Sequence, residues 1–189
     1  MTEENPVSFR RLSIVFLAAS LLILSYYLGR GLTGIDRLWP LGENMVLDEF
    51  PPPGTLPFPL YAKPVTYFAF FLVLGWIFGL ESMRTKLASW NLTRLRFLAA
   101  VAGFAMYLAG YEVLFNFNLW SSLMASCFSR VVSGVALAPW EVCNPDTMFN
   151  PYPNPDTAWN LVFATKIYTA IFAVALLSFI YLWRAQRSR

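Results

Sequence analysis

The sequence predicts an all-α integral membrane protein with four transmembrane helices, cytoplasmic N- and C-termini and two long extracytoplasmic loops. The 189 residues are 57% hydrophobic and only 13% charged, with a mean hydropathy of +0.51, whereas soluble domains are about 25% charged. Four apolar runs approach or exceed the roughly 20 residues needed to cross about 30 Å of hydrocarbon. Lys and Arg are unevenly distributed between the connecting segments. We expect residues 1–189 to form a single membrane domain.

The first span is predicted at about residues 10–29. A signal peptide is the alternative, because Arg10 and Arg11 precede the apolar run. The run is long for the apolar core of a signal peptide, it ends with Tyr26 and Tyr27, and no clear small-residue cleavage pattern follows it. We therefore expect an uncleaved first span.

The other spans are predicted at about residues 61–80, 97–120 and 161–183. Tyr and Trp residues lie near the ends of the four runs, as in the aromatic belts of membrane proteins. In the second run, Gly75 and Gly79 form a Gly-x-x-x-Gly motif, which permits close contact between helices.

The orientation follows from the positive-inside rule. The N-terminal segment, the loop after the second span and the C-terminal tail contain nine basic residues: Arg10, Arg11, Arg84, Lys86, Arg94, Arg96, Arg184, Arg187 and Arg189. The other two loops contain four: Arg30, Arg37, Lys63 and Arg130. This asymmetry predicts cytoplasmic termini in a multi-pass protein of the cell (plasma) membrane.

The first outer loop covers about residues 30–60 and is rich in proline. Pro51, Pro52 and Pro53 are consecutive, which excludes a helix there and favours an extended conformation. Trp39 and Phe50 make a flexible linker improbable by composition. We expect this loop to lie against the membrane surface or a partner.

The second outer loop covers about residues 121–160. Its first half has apolar residues at helical spacing (Leu123, Cys127, Val131 and Val135), with serines between them, which predicts an amphipathic helix at the membrane interface. A fifth span is the alternative. It would place Arg130 inside the bilayer and move the basic C-terminus outside.

The same loop contains a duplicated Asn-Pro-Asp-Thr motif, at 144–147 and 154–157. Asp146 and Asp156 could line a cation site. Two rigid turns are the favoured interpretation, because Asn-Pro and Asp-Thr are typical of turns and calcium sites usually have more acidic ligands. We expect no resident metal ion.

The two cysteines, Cys127 and Cys143, both belong to this outer loop. An even pair in an extracytoplasmic loop predicts a structural disulfide. Reduced thiols are one alternative. A redox-active pair is the other, and it lacks the Cys-x-x-Cys spacing that lowers a thiol pKa.

The most informative polar residue is Glu112, inside the third span. Asn116 lies one turn further out on the same helix, and Lys166 lies in the fourth span at a similar predicted depth. An intramembrane ionisable group marks a candidate functional site. Glu112, Asn116 and Lys166 therefore form the predicted intramembrane polar site. A Glu112–Lys166 pair would fix helix register, and the alternative is a site for a substrate, an ion or a quinone.

Composition narrows the possible chemistry. There is no histidine, and histidine is the commonest ligand for zinc, copper and haem. We expect no cofactor on this chain, and no nucleic acid partner, because no basic run with interleaved aromatics is present.

Three functions are compatible with these features. We favour an accessory or structural subunit of a larger membrane complex, without catalytic activity of its own, whose partners are the bilayer and other membrane subunits. The second is a small transporter or channel using Glu112, Asn116 and Lys166. The third is an enzyme acting on a lipid or quinone, with Asp146, Asp156 or Glu141 as acid or base.

Overall fold

The computed structural model describes residues 6–33, 45, 63–134 and 161–188, and these residues are predominantly α-helical. The helices are α1 (Pro6–Leu32), α2 (Pro64–Ser82), α3 (Arg84–Ser89), α4 (Leu92–Val132) and α5 (Leu161–Arg187). Four of them, α1, α2, α4 and α5, are long and apolar enough to cross a membrane. For the described residues, the predicted all-helical architecture with four helices able to span a membrane is therefore confirmed.

Local signals determine where α2 and α4 begin. Pro64 occupies the first turn of α2 after the extended residue Lys63, a position where proline lacks only a donor that the helix would leave unused. At the start of α4, the Asn91 side chain accepts a hydrogen bond from the Arg94 backbone N–H at 2.8 Å, as an N-cap does. Both boundaries differ by a few residues from the starts predicted at 61 and 97.

Helix α4 is longer than the predicted third span. It contains 41 residues, so its length is about 60 Å, twice the thickness of the bilayer core. The segment 121–132, for which the sequence predicts a separate amphipathic helix, is helical and continuous with the span. Its position at the membrane interface stays a prediction.

The four long helices pack in the order α1, α2, α5, α4. Helices α2 and α5 occupy the centre and run parallel, because contacts between them join Thr66 to Lys166 and Glu81 to Tyr181. The outer helices α1 and α4 run antiparallel to them. The N-terminus of α1 and the C-terminus of α5 therefore lie at the same end of the bundle, which is called the terminal end below. The two long connections leave from the opposite end, which is called the loop end.

Two glycines allow α1 to pack closely on α2. A Cβ atom added at Gly75 would lie 2.7 Å from Leu17 Cγ, and one at Gly79 would lie 3.0 Å from Ser13 Oγ. The buried Ser13 hydroxyl donates to the Gly75 carbonyl oxygen at 2.8 Å. The close contact that the Gly-x-x-x-Gly motif permits is thus present, and α1 is the helix that uses it.

Small residues form the contact face of α4 on α5. Ala99, Ala102 and Ala109 are buried along this face. Gly103 packs against Phe179, and Gly110 packs against Phe172. In these contacts the residue number rises along α4 while it falls along α5, so the two helices are antiparallel. Continuing the same register places Asn116 at about the level of Lys166.

One residue of the first long connection packs onto the helices at the loop end. Met45 is only 1% exposed. It joins Val65 of α2 in a small core whose other members are Ile23, Leu24, Tyr27, Phe68 and Ile167. At the loop end, α1, α2 and α5 therefore pack together through apolar side chains, one of which, Ile167, is next to Lys166 in the sequence.

Candidate functional site

Three side-chain hydrogen bonds join the parallel central helices α2 and α5 at successive levels. At the loop end, Lys166 Nζ donates to Thr66 Oγ1. In the middle, Trp76 Nε1 donates to Ser178 Oγ at 2.8 Å. At the terminal end, the Tyr181 hydroxyl donates to Glu81 Oε2 at 2.6 Å. Together they fix the register of α5 on α2 with polar contacts inside an otherwise apolar interface.

The hydrogen bond to Thr66 places the Lys166 ammonium on the α2 side of α5. Both partners are half-buried, and the apolar core around Met45 and Val65 lies next to them. A lysine at this depth is costly unless its head group has a polar partner or reaches the interface. Thr66 supplies such a partner from within the chain.

Asn116 lies on the opposite side of the bundle, on the face of α4 that packs against α5. It is only 7% exposed, and its amide Nδ2 has no hydrogen-bond partner among the described residues. A buried donor without an acceptor costs about 1–3 kcal/mol. Asn116 is therefore a polar group that this part of the chain buries without satisfying.

Glu112 lies one helical turn from Asn116, deeper in the span. Its side chain is half-buried on the flank of the α5-facing surface. Among the described residues, Arg84 and Glu81 form an ion pair on the surface at the terminal end. Glu112 takes no part in it.

The predicted Glu112–Lys166 pair is not formed in the structure. The predicted depths are similar, but depth does not determine which side of a helix a residue occupies. Phe172 marks the α4-facing side of α5, and it lies about 1.7 turns from Lys166, so the lysine faces another direction. The structure thus brings Asn116 and Glu112 together on α4 and places Lys166 with Thr66.

The described polar side chains of the site offer hydrogen bonding and charge pairing. Among residues 6–33, 63–134 and 161–188, no cluster of three or more His, Cys, Asp or Glu side chains could hold a metal ion. On α4, one carboxyl and one amide lie in succession along a face that is otherwise apolar. Glu112, on the flank of this face, can accept a hydrogen bond from a neighbouring polar group within the membrane.

The remaining predicted site residues lie outside the described part of the chain. These are Asp146, Asp156, Glu141, Cys143 and the side chain of Cys127. The Cys127–Cys143 disulfide and the outer-loop cation site therefore stay predictions.

Sequence reasoning missed all three α2–α5 hydrogen bonds, because Lys166 is predicted to pair with Glu112 and not with Thr66. Glu81 follows directly after the predicted second span, Tyr181 lies near the end of the predicted fourth span, and the sequence predicts no pairing between them. Both residues lie close to the same end of their spans, and that shared depth was the available signal. Trp76 and Ser178 gave no comparable signal, because Trp and Ser are frequent in spans without being paired.

Comparison with known proteins assigns no family to this chain. No protein-family model matches it, and neither a curated protein nor a solved structure matches it.

Proposed function

We propose that this protein is an accessory or structural subunit of a multi-subunit membrane complex, to which it contributes transmembrane packing and an outer loop surface. The observation that supports this most directly is the state of the polar groups on α4. Glu112 lies half-buried on the flank of α4 without an ion pair among the described residues, and the Tyr107 side chain on the same helix is 67% exposed. In hydrocarbon, where water does not compensate, such groups need partners from protein.

The contrast with the other helices strengthens the argument. On α1, the buried Ser13 and Ser20 hydroxyls donate to carbonyl oxygens of α2 at 2.8 and 3.1 Å. On α5, Lys166 and Ser178 both have partners on α2. Polar groups are therefore satisfied inside the row of helices, whereas α4, at its edge, carries Glu112 on its half-exposed flank, where a neighbouring subunit would satisfy it.

The proposal includes the orientation and the location. Cytoplasmic termini in the plasma membrane place the terminal end inside, where Arg94 stacks on Trp90 at 4.0 Å and Arg187 on Trp183 at 3.7 Å. Arginine and tryptophan together are typical of a membrane–water interface. The two long connections then form the outer surface offered to other subunits.

Mild detergent extraction followed by native mass spectrometry tests the proposal. We expect the 21.5-kDa chain to leave the membrane with other polypeptides at fixed stoichiometry. Particles that contain this chain alone, at every detergent concentration that preserves the fold, would contradict it. The matched variants are Glu112→Leu, which should reduce the yield of the complex, and Gly29→Ala, which meets no neighbour within 4 Å and should not.

A further inference from the structure

We propose that two copies of this chain pair through α4, with the Tyr107 hydroxyl of each copy donating to the Glu112 carboxylate of the other. The interface consists of a stripe of large apolar residues that runs along the span part of α4. Its members are Phe97, Val101, Phe104, Leu108, Tyr111 and Phe115, each roughly half exposed or more. This set is called the α4 stripe below.

The spacing of the α4 stripe is that of a helix-pairing seam. Its residues alternate between steps of four and three, which is the a/d repeat of a coiled coil. Val101, Leu108 and Phe115 occupy a positions, whereas Phe97, Phe104 and Tyr111 occupy d positions. The seam lies beside the α5-facing surface and does not compete with it, because Ala102, Ala109 and Asn116 fall at b positions.

The membrane determines the direction of the pairing. Two copies of one chain insert with the same orientation, so a two-fold axis along the bilayer normal places the two α4 helices parallel. In a parallel pair, each g residue faces the e residue of the following heptad on the partner. In this register Tyr107 is a g residue and Glu112 is the e residue that follows.

Polar chemistry favours a second copy over lipid on this face. Tyr107 is 67% exposed and makes no hydrogen bond among the described residues, and Glu112 is half-buried without an ion pair there. Leaving a hydroxyl and a carboxyl facing hydrocarbon is costly. The parallel pair satisfies both, twice, by symmetry.

The other flanking positions are compatible with the same register. The g residue Ala100 would face Ala105 of the second copy, which is also small. The g residue Leu114 would face Leu119 of the second copy, which is also large. The chain already uses the proposed bond between two parallel helices, because Tyr181 of α5 donates to Glu81 of α2 at 2.6 Å. The pairing deepens the subunit proposal by naming one partner as a second copy of this chain.

Single-cysteine cross-linking in native membranes tests the seam. In a Cys127→Ser/Cys143→Ser background, Leu108→Cys and Val101→Cys should form disulfide-linked dimers on oxidation, because facing a residues lie within disulfide distance. Phe117→Cys is the matched control, since Phe117 is 61% exposed on another side of α4. Equal cross-linking at positions 108 and 117, or none at 108, would overturn the proposal.

Energy transfer between labelled full-length chains in liposomes tests the bond and needs no cysteine replacement. Tyr107→Phe should raise the dimer dissociation constant about fivefold to tenfold, since two membrane hydrogen bonds of ordinary strength are lost. Tyr168→Phe, on α5, should leave it unchanged. Glu112→Leu should weaken the dimer in the parent chain and add little in the Tyr107→Phe background. An unchanged dissociation constant for Tyr107→Phe would overturn the pairing.

The outcomes distinguish this pairing from the subunit proposal. One copy of the chain in a complex with other polypeptides would exclude the pairing and leave the subunit role intact. A complex that contains only two copies of this chain would do the reverse.

Discussion

At the scale of single residues, the buried polar groups form two classes with opposite expected behaviour. Ser13 and Ser20 donate to carbonyl oxygens across a helix interface, so their removal loses a bond. Asn116 buries an amide nitrogen that has no partner among the described residues, so its removal relieves a cost. Mutations in the isolated chain can separate these classes.

Asn116→Leu should stabilise the isolated chain by about 1 kcal/mol, because an apolar side chain of similar size replaces an unsatisfied donor. Ser13→Ala is the matched control and should destabilise the chain by about 0.5–1.5 kcal/mol, since it removes a hydrogen bond. Unfolding by denaturing detergent in bicelles measures both. A loss of stability in Asn116→Leu as large as that in Ser13→Ala would show that the amide is satisfied within the chain.

Lys166 should be coupled to Thr66 and independent of Glu112. The Lys166→Met/Thr66→Val double-mutant cycle should give a coupling energy of about 0.6 kcal/mol or more, typical of a membrane hydrogen bond. The Lys166→Met/Glu112→Gln cycle should be additive within about 0.5 kcal/mol, because the two side chains lie on different faces. A larger coupling energy for Lys166 with Glu112 than for Lys166 with Thr66 would indicate that Glu112 and Lys166 form a pair.

At the scale of helices, hydropathy predicted the existence of the spans but not all of their ends. Length and apolarity are local properties, so four candidate helices could be read from the chain. The extension of α4 to Val132 was missed as a single helix, because the amphipathic pattern after residue 120 was treated as a new element. The Asn91 cap was missed because capping depends on the backbone conformation of one residue.

The sequence predicted the membrane depth of the candidate site residues, but not the side of the helix on which each of them lies. Counting residues from the helix ends placed Glu112, Asn116 and Lys166 in the same part of the membrane. The side of α5 that faces α4 depends on how Phe172 and Phe179 pack against Gly110 and Gly103. That rotation is a property of the assembled helices, so Lys166 could not be assigned to Thr66 from spacing alone.

The α1–α2 contact should be sensitive to a single methyl group at Gly75. An added Cβ would lie 2.7 Å from Leu17 Cγ and 3.0 Å from Leu17 N, so Gly75→Ala should cost about 1–3 kcal/mol of unfolding free energy. Gly103→Ala is the matched control, because its Cβ would lie 3.6 Å from Phe179, an ordinary contact. That variant should be neutral or stabilised by up to about 1 kcal/mol. Equal effects would exclude close packing at Gly75.

At the scale of the whole molecule, the four long helices pack side by side in the order α1, α2, α5, α4. The central helices α2 and α5 are joined by three polar contacts, and α1 is held by the glycine contact on α2. Helix α4 packs on α5 through small residues and presents aromatic and polar groups on its other faces. We propose that a neighbouring protein binds at the edge formed by α4.

The proposed orientation predicts opposite accessibility for two labelled positions. A cysteine at Ser188 should react with a membrane-impermeant reagent only after the membrane is opened, and one at Gly54 should react in intact cells. The reason is the positive-inside distribution of nine against four basic residues. External labelling at position 188 would contradict the proposed orientation of the C-terminus. If the N-terminus were then found inside, the chain would have an odd number of spans.

Photo-cross-linking from α4 in native membranes tests most directly whether another polypeptide covers this helix. Tyr111 is 58% exposed in the isolated chain, and its replacement by p-benzoylphenylalanine preserves an aromatic side chain and leaves Glu112 and Asn116 intact. We expect the illuminated chain to form a covalent adduct with a protein, either a second copy or another subunit, and the same probe at Phe117 to form much less of it. Adducts with lipid alone at position 111 would contradict a protein partner on α4.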